Sequence, residues 1–362
     1  MLLGGLRGKI DAVDAQLHAL ITERAKLARQ AGISKHADGH LVDFYRPERE
    51  SQVLRMALER NQSLKGGLRD EEILRLFREI MSACLAQEEP LKVGFLGPEG
   101  TFTQTAVYKH FGHSVRALPL ASIDEVFHEV EAAHADFGVV PIENSTEGSV
   151  NHTLDRFLSS PLKICGEVEL RIHQQLMGRM QSLAQIKRVC THAQSLAQCR
   201  SWLQEHLSEA ELVPVSSNAE GARRARDEAG TAAIAGETAA DVYGLTVLAT
   251  DIEDRPDNST RFFVIGRKLF AASGSDRTTL LVSTHRTSAP GALHRLLGPL
   301  AKHLISMTRI ESRPSRRQKW DYVFFLDIEG HVDDKNVAAA LKALKTQTAL
   351  YRVLGSYPRA IL

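Results

Sequence analysis

The stretch LKVGFLGPEGTFTQTA, residues 91–106, marks the point at which the pattern of the chain changes. A short apolar run ends at Gly97-Pro98, which is typical of a buried strand followed by a turn, and a helical pattern starts at Phe102. This order predicts an α/β unit in which backbone N–H groups of the loop could hold an anion. The loop lacks the ending of a nucleotide-binding loop and the third glycine of a dinucleotide fingerprint, so no cofactor is predicted.

Downstream, strands and helices alternate for about 175 residues. Further strands are predicted at SVRALPL, FGVVPIE, ICGEVEL, IKRVCTH, ELVPV, TAAIAG and FFVIG, with helices from Ser122, from Ser149 and in SLAQCRSWLQEHL. Because these are too many strands for one small sheet, we expect two lobes with a cleft between them.

Polar residues recur where these strands end, and strand ends of an open α/β sheet converge on one crevice. The candidates for a shared site are Glu143, Asn144, Ser145, Thr191, Gln198 and the triplet Thr260-Arg261-Phe262. Two structural alternatives stay open. An Asn-Ser pair before a helix is often only a cap, and the triplet could be a strand entry with an incidental hydroxyl.

Upstream, residues 6–89 have a helical pattern throughout, with apolar residues at alternating three- and four-residue steps. The first helix is predicted over about 5–36, a second begins with Pro47 in its first turn, and Asp70 is expected to cap a third. A single long helix buries such a seam poorly, so we expect a partner chain.

Arg24 interrupts the apolar seam of this first helix. Lys35 is eleven residues further on, within about 20° on the helical wheel, whereas Arg7 comes out about 100° away. Arg24 and Lys35 therefore share a face, and a second chain could supply Arg7. The alternatives are that Arg24 extends its stem along the seam edge to reach solvent and that Glu88 only caps a helix end.

From Thr278 the order strand, helix, strand, strand, helix, strand predicts a ferredoxin-like α+β unit. The basic run SRPSRRQK within it could be a solvated hairpin or a nucleic-acid contact. Over all 362 residues, 45 Lys and Arg balance 44 Asp and Glu, which argues against nucleic acid or an anionic membrane as a partner.

The chain contains no stretch of about 20 apolar residues and no signal segment, so no membrane association is expected. Four cysteines, Cys84, Cys165, Cys190 and Cys199, form no CxxC pair and no zinc spacing. Reduced thiols in the cytoplasm, with no metal, are the simplest interpretation.

The run LRGKIDAVDAQLHALITERAKLA, followed by GISK, PERE and IMSACLAQEE, resembles the helical chorismate mutase domain. The remainder, with its Thr-Arg-Phe triplet, resembles the rest of the bifunctional chorismate mutase/prephenate dehydratase family over the full length. The resemblance implies a multidomain chain: an all-α mutase domain at 1–90, a two-lobed α/β dehydratase domain like periplasmic binding proteins at 91–270, and a ferredoxin-like ACT domain at 276–362.

For the mutase, the resemblance implies that Arg24 and, from the partner subunit, Arg7 bind the two carboxylates of chorismate, and that Arg49 adds charge. Lys35 would approach the ether oxygen and Glu50 the ring hydroxyl. Glu88 and Cys84 stand where the family commonly has a glutamine and a serine. Since an ionised carboxylate has no donor, Glu88 must stay protonated to help. The acidic position before PERE falls on Arg46 or, with a gap, on Asp43.

For the dehydratase, the resemblance implies roles for Asn144, Thr191, Gln198, Thr260 and Arg261. Thr260 would donate to the departing hydroxide, Phe262 would surround the reacting carboxylate, and Arg261 would anchor the pyruvyl carboxylate of prephenate. In the ACT domain, the motifs GAL and ESRP imply a binding site for L-phenylalanine, the feedback inhibitor, formed by Gly291, Ala292, Leu293, Glu311, Ser312, Arg313 and Pro314.

Two other functions compete with this interpretation. An α/β unit followed by an ACT domain could be a non-catalytic amino-acid sensor, although the cations of the helical segment would then have no purpose. Alternatively, the mutase domain has decayed and only prephenate or arogenate dehydratase activity survives. Chorismate given to the purified protein distinguishes the three.

Overall fold

The computed structural model describes residues 3–37, 45–64, 67–87, 90–284, 290–315 and 321–361, with only the backbone of residues 3 and 32–37. The chain forms two compact units, residues 1–91 with 111–116, and residues 92–110 with 117–362. Within the described ranges, no helix has the length and apolar character needed to cross a membrane.

The first unit is helical, with α1 at Leu3–Ala37, α2 at Pro47–Ser63 and α3 at Asp70–Leu85. Pro47 starts α2, as predicted. The prediction for Asp70 was wrong in detail, because this residue is the first of α3 and Arg69 occupies the cap position. The Asp70 carboxylate instead accepts hydrogen bonds from Asn61 (2.7 Å) and Gln62 (2.9 Å), which join the end of α2 to the start of α3.

The apolar seam of α1 is uncovered in the single chain. Six of its side chains are between 43% and 62% exposed, namely Leu6, Ile10, Val13, Leu17, Leu20 and Leu27. Scattered apolar residues are normal on a surface, but a continuous row along one helix is typical of a face that packs on another molecule.

The second unit contains both lobes of the predicted α/β region. The first lobe is a sheet of order β2-β1-β3-β11-β5, with β4 beside β3. Its strands are β1 (Lys92–Leu96), β2 (Arg116–Leu120), β3 (Phe137–Asn144), β4 (Gly148–Ser149), β5 (Lys163–Arg171) and β11 (Ser259–Gly266), and its helices are α4 (Phe102–Phe111), α5 (Ile123–Glu131) and α6 (Asn151–Ser159). The predicted helix start at Ser149 lies two residues early, since Ser149 ends β4.

The second lobe is a sheet of order β10-β6-β9-β7-β8. It consists of β6 (Gln175–Gly178), β7 (Arg188–His192), β8 (Glu211–Val215), β9 (Thr231–Ala235) and β10 (Thr246–Ala249), with a 3-10 turn at Leu183–Gln185 and α7 (Ala193–Gln198), α8 (Arg200–His206), α9 (Asn218–Asp227) and α10 (Glu237–Tyr243). The chain crosses between the lobes twice, at 172–174 and at 250–258. Two crossings and two sheets confirm the predicted two-lobed architecture.

The C-terminal part is a four-stranded antiparallel sheet of order β13-β14-β12-β15. Its elements are β12 (Asp276–Thr284), α11 (Ala292–Lys302), β13 (Met307–Pro314), β14 (Tyr322–Glu329), α12 (Lys335–Lys345) and β15 (Thr348–Pro358), the predicted ferredoxin-like series. Both helices pack on one face of this sheet. The other face shares a core with the first lobe, where Leu281, Phe325 and Tyr357 pack with Phe157 and Phe263.

Candidate active sites

A cleft of ≈ 390 Å³ lies between the two lobes. Three of the predicted site residues, Asn144, Gln198 and Thr260, line it together. Sequence reasoning missed other polar residues of the lining, which are Thr101, Gln174, His192, Gln194, Ser195, Ser216, Ser217, Asn218 and Asn258. Ser217 and Asn218 lie just after the end of β8, much as Asn144 lies at the end of β3. The pair could therefore have been predicted from the occurrence of polar residues where strands end.

The Thr260 hydroxyl is held at the cleft wall by Asn144. The Asn144 amide Nδ2 donates to Thr260 Oγ1 (2.8 Å) and to Asn258 Oδ1 (2.9 Å), while its Oδ1 accepts from the Thr146 and Glu147 backbone N–H groups. These contacts fix which end of the amide faces Thr260. Among the described residues none accepts a hydrogen bond from the Thr260 hydroxyl, so its proton is left for a molecule in the cleft.

The opposite wall, in the second lobe, is a connected set of neutral polar groups. Asn218 Oδ1 lies 3.0 Å from Ser195 Oγ and 2.9 Å from Thr191 Oγ1. Gln174 Nε2 donates to Gln198 Oε1 (3.1 Å), which leaves the Gln198 amide N–H groups for the cleft. Thr191 itself is fully buried and bonds the Ile234 carbonyl, so the structure places it behind the wall, where it supports Asn218.

The cleft can hold an anion without a cationic side chain. No Lys, Arg, Asp or Glu occurs among its described lining residues, and His192 is the one titratable group there. The N-termini of α4 and α9 both begin at lining residues, Phe102 and Asn218, and helix N-termini favour negative charge. Gly100, in the loop before α4, has a φ of +82° and close neighbours in α10. This position of the predicted anion-binding loop therefore requires a glycine.

Arg261 and Glu143 lie outside the cleft. The Arg261 guanidinium contacts Glu167 Oε2 (2.7 Å) and Asp327 Oδ2 (2.6 Å), and its side chain is 14% exposed. Glu143 Oε2 is 3.2 Å from Arg309 Nε. The expected role of Arg261 as the anchor of a substrate carboxylate does not fit this arrangement, because carboxylates of the protein already occupy the guanidinium.

Two further predicted residues are also absent from the lining. Phe262 is 2% exposed and is a buried core residue. Ser145 Oγ accepts from the Ser259 backbone N–H (2.9 Å) and so ties the loop after β3 to the start of β11.

A group that could in principle share a cation lies on the two crossings between the lobes. His173 Nδ1 is 2.7 Å from Asp251 Oδ1 and 3.1 Å from Glu253 Oε1, and Glu253 also accepts from the Gln174 backbone N–H. Both carboxylates thus contact the same ring nitrogen. This arrangement is compatible with a polar link between the two crossings and also with a metal site.

The helical unit contains a second cavity, of ≈ 320 Å³. It brings together the predicted residues Arg24, Arg49, Glu50 and Cys84 and also Arg46, the uncertain position before PERE. The remaining lining is mostly apolar, with Tyr45, Val53, Met81, Leu85, Leu91 and Phe111 among its members. Three guanidinium groups in a largely apolar cavity form a site for a small organic dianion.

Glu50 is the carboxyl group among the described lining residues of this cavity. Its side chain is 17% exposed, and burial raises its pKa to about 7, although Arg78 at 4.0 Å and a hydrogen bond with Tyr45 act in the opposite direction. The protonated form is therefore accessible near neutral pH, which reduces the cancellation of the arginine charges.

Of the other predicted mutase residues, Arg7 lies outside this cavity. Arg7 is exposed on the same helix as Arg24, and seventeen residues of α1 separate them by about 25 Å. Lys35 lies in α1, but its side chain is outside the described residues, as are Glu88 and Asp43 entirely.

The predicted effector residues lie in two places. Gly291 caps α11 with φ +70, Ala292 begins the helix and Leu293 is 39% exposed. Glu311 and Arg313 of β13 instead contact the first lobe, at Ser149 and at Asp155 with Asn151 respectively, whereas Ser312 and Pro314 are exposed. The groove that Ala292 lines includes none of residues 311–314.

Comparison with known proteins assigns three families along the chain. Residues 6–89 match the family "Chorismate mutase type II", residues 93–269 match "Prephenate dehydratase", and residues 279–346 match "ACT domain". The chain is therefore a mutase and a dehydratase in one polypeptide, followed by a regulatory domain.

Similar full-length proteins carry the same combination. The chain is 52% identical to a bifunctional chorismate mutase/prephenate dehydratase of Stutzerimonas stutzeri and to one of Pseudomonas aeruginosa, each over 99% of this chain and 98% of the relative. A prephenate dehydratase of Arthrobacter aurescens, solved in complex with L-Phe, superposes with a TM-score of 0.69 at 40% identity, covering 75% of this chain and 90% of that one.

The chain belongs to the bifunctional chorismate mutase/prephenate dehydratase family. It is an enzyme of phenylalanine biosynthesis that rearranges chorismate to prephenate and then converts prephenate to phenylpyruvate, subject to feedback inhibition by L-phenylalanine.

Proposed function

We propose that the interlobe cleft is the dehydratase site and that Thr260 is its hydrogen-bond donor. In prephenate, the bond from the ring to the carboxylate breaks, its electron pair enters the ring, and the ring C–O bond breaks to release hydroxide. The Thr260 hydroxyl, which already accepts from Asn144, donates to that leaving oxygen. The released hydroxide takes up one proton from solvent, either directly or through the Thr260 hydroxyl, so the products are phenylpyruvate, carbon dioxide and water.

The neutral lining suits this reaction. A carboxylate that must depart as carbon dioxide loses its charge, so a cation beside it would stabilise the reactant more than the transition state. Gln198 and Asn218 of the second lobe and the N-termini of α4 and α9 supply uncharged donors for the second carboxylate, the pyruvyl group. Thr191 acts by holding Asn218, and Ser145 by holding β11.

We propose that the helical cavity is the mutase site. The rearrangement of chorismate needs no nucleophile and no proton transfer, so the protein has to hold the compact conformer and stabilise negative charge on the ether oxygen. Arg24, Arg46 and Arg49 supply the cations found in the cavity, Glu50 binds the ring hydroxyl and Cys84 lines the wall. Lys35 and Glu88 remain proposed ligands of the ether oxygen.

A second copy of the chain completes this site, which makes the enzyme a homodimer or a higher oligomer. Arg7 is too far along α1 to reach the cavity of its own chain, and the exposed seam of α1 offers the surface on which another α1 packs. The dimer proposal depends on one observation: Arg7, the cation absent from the cavity of its own chain, and the uncovered apolar seam both lie on α1.

The remaining assignments follow from the family. We propose domain boundaries at 1–90, 91–270 and 276–362, and a cytoplasmic location that accords with four buried cysteines, none of which forms a disulfide among the described residues. L-phenylalanine binds the ACT domain at Gly291–Leu293 and at Glu311–Pro314. Because the described lining of the groove at Ala292 includes none of residues 311–314, a site that uses both groups would form between subunits.

The substitution Thr260→Ala tests the observation on which the dehydratase proposal depends, namely an Asn144-oriented hydroxyl in the cleft. We expect the dehydratase kcat to fall by about 100-fold or more, as for other lost donors to a developing oxyanion. Thr260→Ser keeps the hydroxyl and should retain most of the rate, and an unchanged thermal unfolding transition of the full chain serves as the folding control. Dehydratase rates near wild type in Thr260→Ala would remove Thr260 from the mechanism.

A further inference from the structure

Thr260 carries the proposed donor hydroxyl and Asn144 orients it. Each of these two residues is adjacent in its strand to a charged residue whose side chain lies on the other face of the sheet. Asn144 follows Glu143 in β3, and Thr260 precedes Arg261 in β11; in the antiparallel pairing, Thr260 lies opposite Asn144 and Arg261 opposite Glu143. Successive side chains of a strand point to opposite faces. One cross-strand pair therefore faces the cleft, and the adjacent pair faces away from it.

The pair that faces away meets a complementary pair of the ACT sheet. Arg309 of β13 and Asp327 of β14 are themselves opposite each other in the ACT sheet. Arg261 Nη1 is 2.6 Å from Asp327 Oδ2, and Arg309 Nε is 3.2 Å from Glu143 Oε2. We call these four residues, Glu143, Arg261, Arg309 and Asp327, the charge quartet.

Three members of the quartet are largely buried, and the fourth lies partly in solvent. The side chains of Arg261, Arg309 and Asp327 are 14%, 7% and 0% exposed, whereas that of Glu143 is 38% exposed. Asp327 Oδ1 also accepts from Thr279 Oγ1 (2.7 Å), and Glu167 holds the other edge of the Arg261 guanidinium. Buried ion pairs depend strongly on geometry, since removing one partner leaves an uncompensated charge in a low dielectric.

The ACT half of the quartet continues into the proposed effector segment. Residues 309, 311 and 313 alternate along β13 and all contact the first lobe: Arg309 Nη2 and Glu311 Oε2 share Ser149 Oγ (2.8 and 2.7 Å). A change in the position of β13 therefore moves Arg309 directly, and Arg309 contacts the residue next to Asn144.

We propose that the charge quartet positions Asn144 and Thr260 for dehydration and that it is the contact through which the ACT domain controls the dehydratase site. In this role Arg261 and Glu143 are positioning residues, and this inference rests on the proposed donor role of Thr260. Occupancy of the ACT domain shifts β13 and β14 against the first lobe, which turns the Thr260 hydroxyl away from the leaving oxygen. A displacement of about 1 Å is enough to cost roughly 100-fold in rate.

The test uses Asp327→Asn in the full-length enzyme, a change of one charge in the ACT domain with almost no change in shape. We expect kcat for prephenate to fall by about tenfold or more while KM changes less than about twofold, because alignment is lost and binding is not. The concentration of L-phenylalanine needed for half-inhibition should rise about tenfold or more, while calorimetry still detects its binding. Arg309→Gln is the second variant and should give the same pattern.

The matched control is Thr278→Val, which removes a buried hydroxyl of the same ACT sheet that bonds only Gly330 and Ser356 among the described residues. Its dehydratase kinetics should equal those of the wild type, and calorimetric binding of L-phenylalanine reports the folding of the ACT domain in every variant. Glu143→Gln combined with Arg309→Gln should be less impaired than Arg309→Gln alone, since no unpaired carboxylate remains.

Wild-type kcat and inhibition in both Asp327→Asn and Arg309→Gln would overturn the proposal. A lowered kcat with normal inhibition by L-phenylalanine would overturn its regulatory half. If Asp327→Asn no longer binds L-phenylalanine, Arg309→Gln decides. Absence of dehydratase activity from the wild type would refute the proposed function itself, which the wild-type assay distinguishes from a failure of the quartet.

Discussion

Replacement of Glu50 by glutamine should change how the stability of the helical unit depends on pH. Burial raises the pKa of Glu50 from 4.5 to about 7 in the folded protein. Between these values the folded state binds more protons than the unfolded state, so stability falls as pH rises. The contribution of the protonated group is complete below about pH 4.5 and is lost as pH rises through 7.

The size of the effect follows from the shift. The pKa of Glu50 rises from 4.5 in the unfolded state to about 7 in the folded state, and each pKa unit corresponds to about 1.36 kcal/mol. The difference therefore amounts to about 3 kcal/mol of folding free energy across this pH window. In Glu50→Gln the amide does not titrate. The free energy of unfolding of the variant, relative to the wild type, should therefore increase by about 3 kcal/mol between pH 4.5 and 8.

Hydrogen exchange of the α2 amides at several pH values, corrected for intrinsic rates, measures the local opening of this helix. Glu59→Gln is the control, because it removes an exposed carboxylate from the same helix and should keep the wild-type pH dependence. If the wild type and Glu50→Gln show parallel pH profiles, Glu50 is not buried as described and the cavity geometry is wrong.

Other consequences concern packing and both sites. Gly221→Ala should destabilise the second lobe by about 1–3 kcal/mol in thermal unfolding, because the added Cβ would overlap a backbone carbonyl of β7. Gly298→Ala in α11 should stabilise the protein by about 0.5–1 kcal/mol, because a Cβ there meets no other atom. Equal changes in unfolding free energy for the two variants would contradict the described packing. Asn218→Ala should lower dehydratase kcat/KM by about tenfold at unchanged mutase activity, because it frees two hydroxyls of the wall; an unchanged value would exclude it from the site. Arg7→Ala and Arg24→Ala should each abolish mutase activity. If the subunits share sites, a re-equilibrated mixture of the two variants should recover about a quarter of the wild-type activity, because each mixed dimer contains one intact site. No recovery would mean that both arginines of a site come from the same chain.

Periodic patterns predicted most elements of this fold because they belong to long or strongly apolar segments. The seam of α1 and the run FGVVPIE are examples, and both elements lie where expected. Strands β6 and β10 were not predicted, since QLMG and TVLA are four residues long and tertiary pairing with β9 and with each other defines them. Helix ends also shifted, as at Ser149, where pairing with β3 extends the chain before α6.

The candidate sites show where motif reasoning stops. The alternation of a strand already implies that Thr260 and Arg261 cannot both face one cleft, and neither can Glu143 and Asn144. What a single strand cannot reveal is which domain covers its other face, so the partners Asp327 and Arg309 required the structure. Gln174 and Asn258 were missed because they lie in the interlobe crossings rather than at the end of a predicted strand.

The most direct test of the whole account is to give chorismate to the purified wild-type protein and to follow prephenate and phenylpyruvate over time. The account predicts that prephenate forms first and that phenylpyruvate then accumulates, that added L-phenylalanine suppresses the second product, and that Thr260→Ala stops at prephenate. Release of phenylpyruvate by Thr260→Ala at the wild-type rate, or no consumption of chorismate by the wild type, would contradict it.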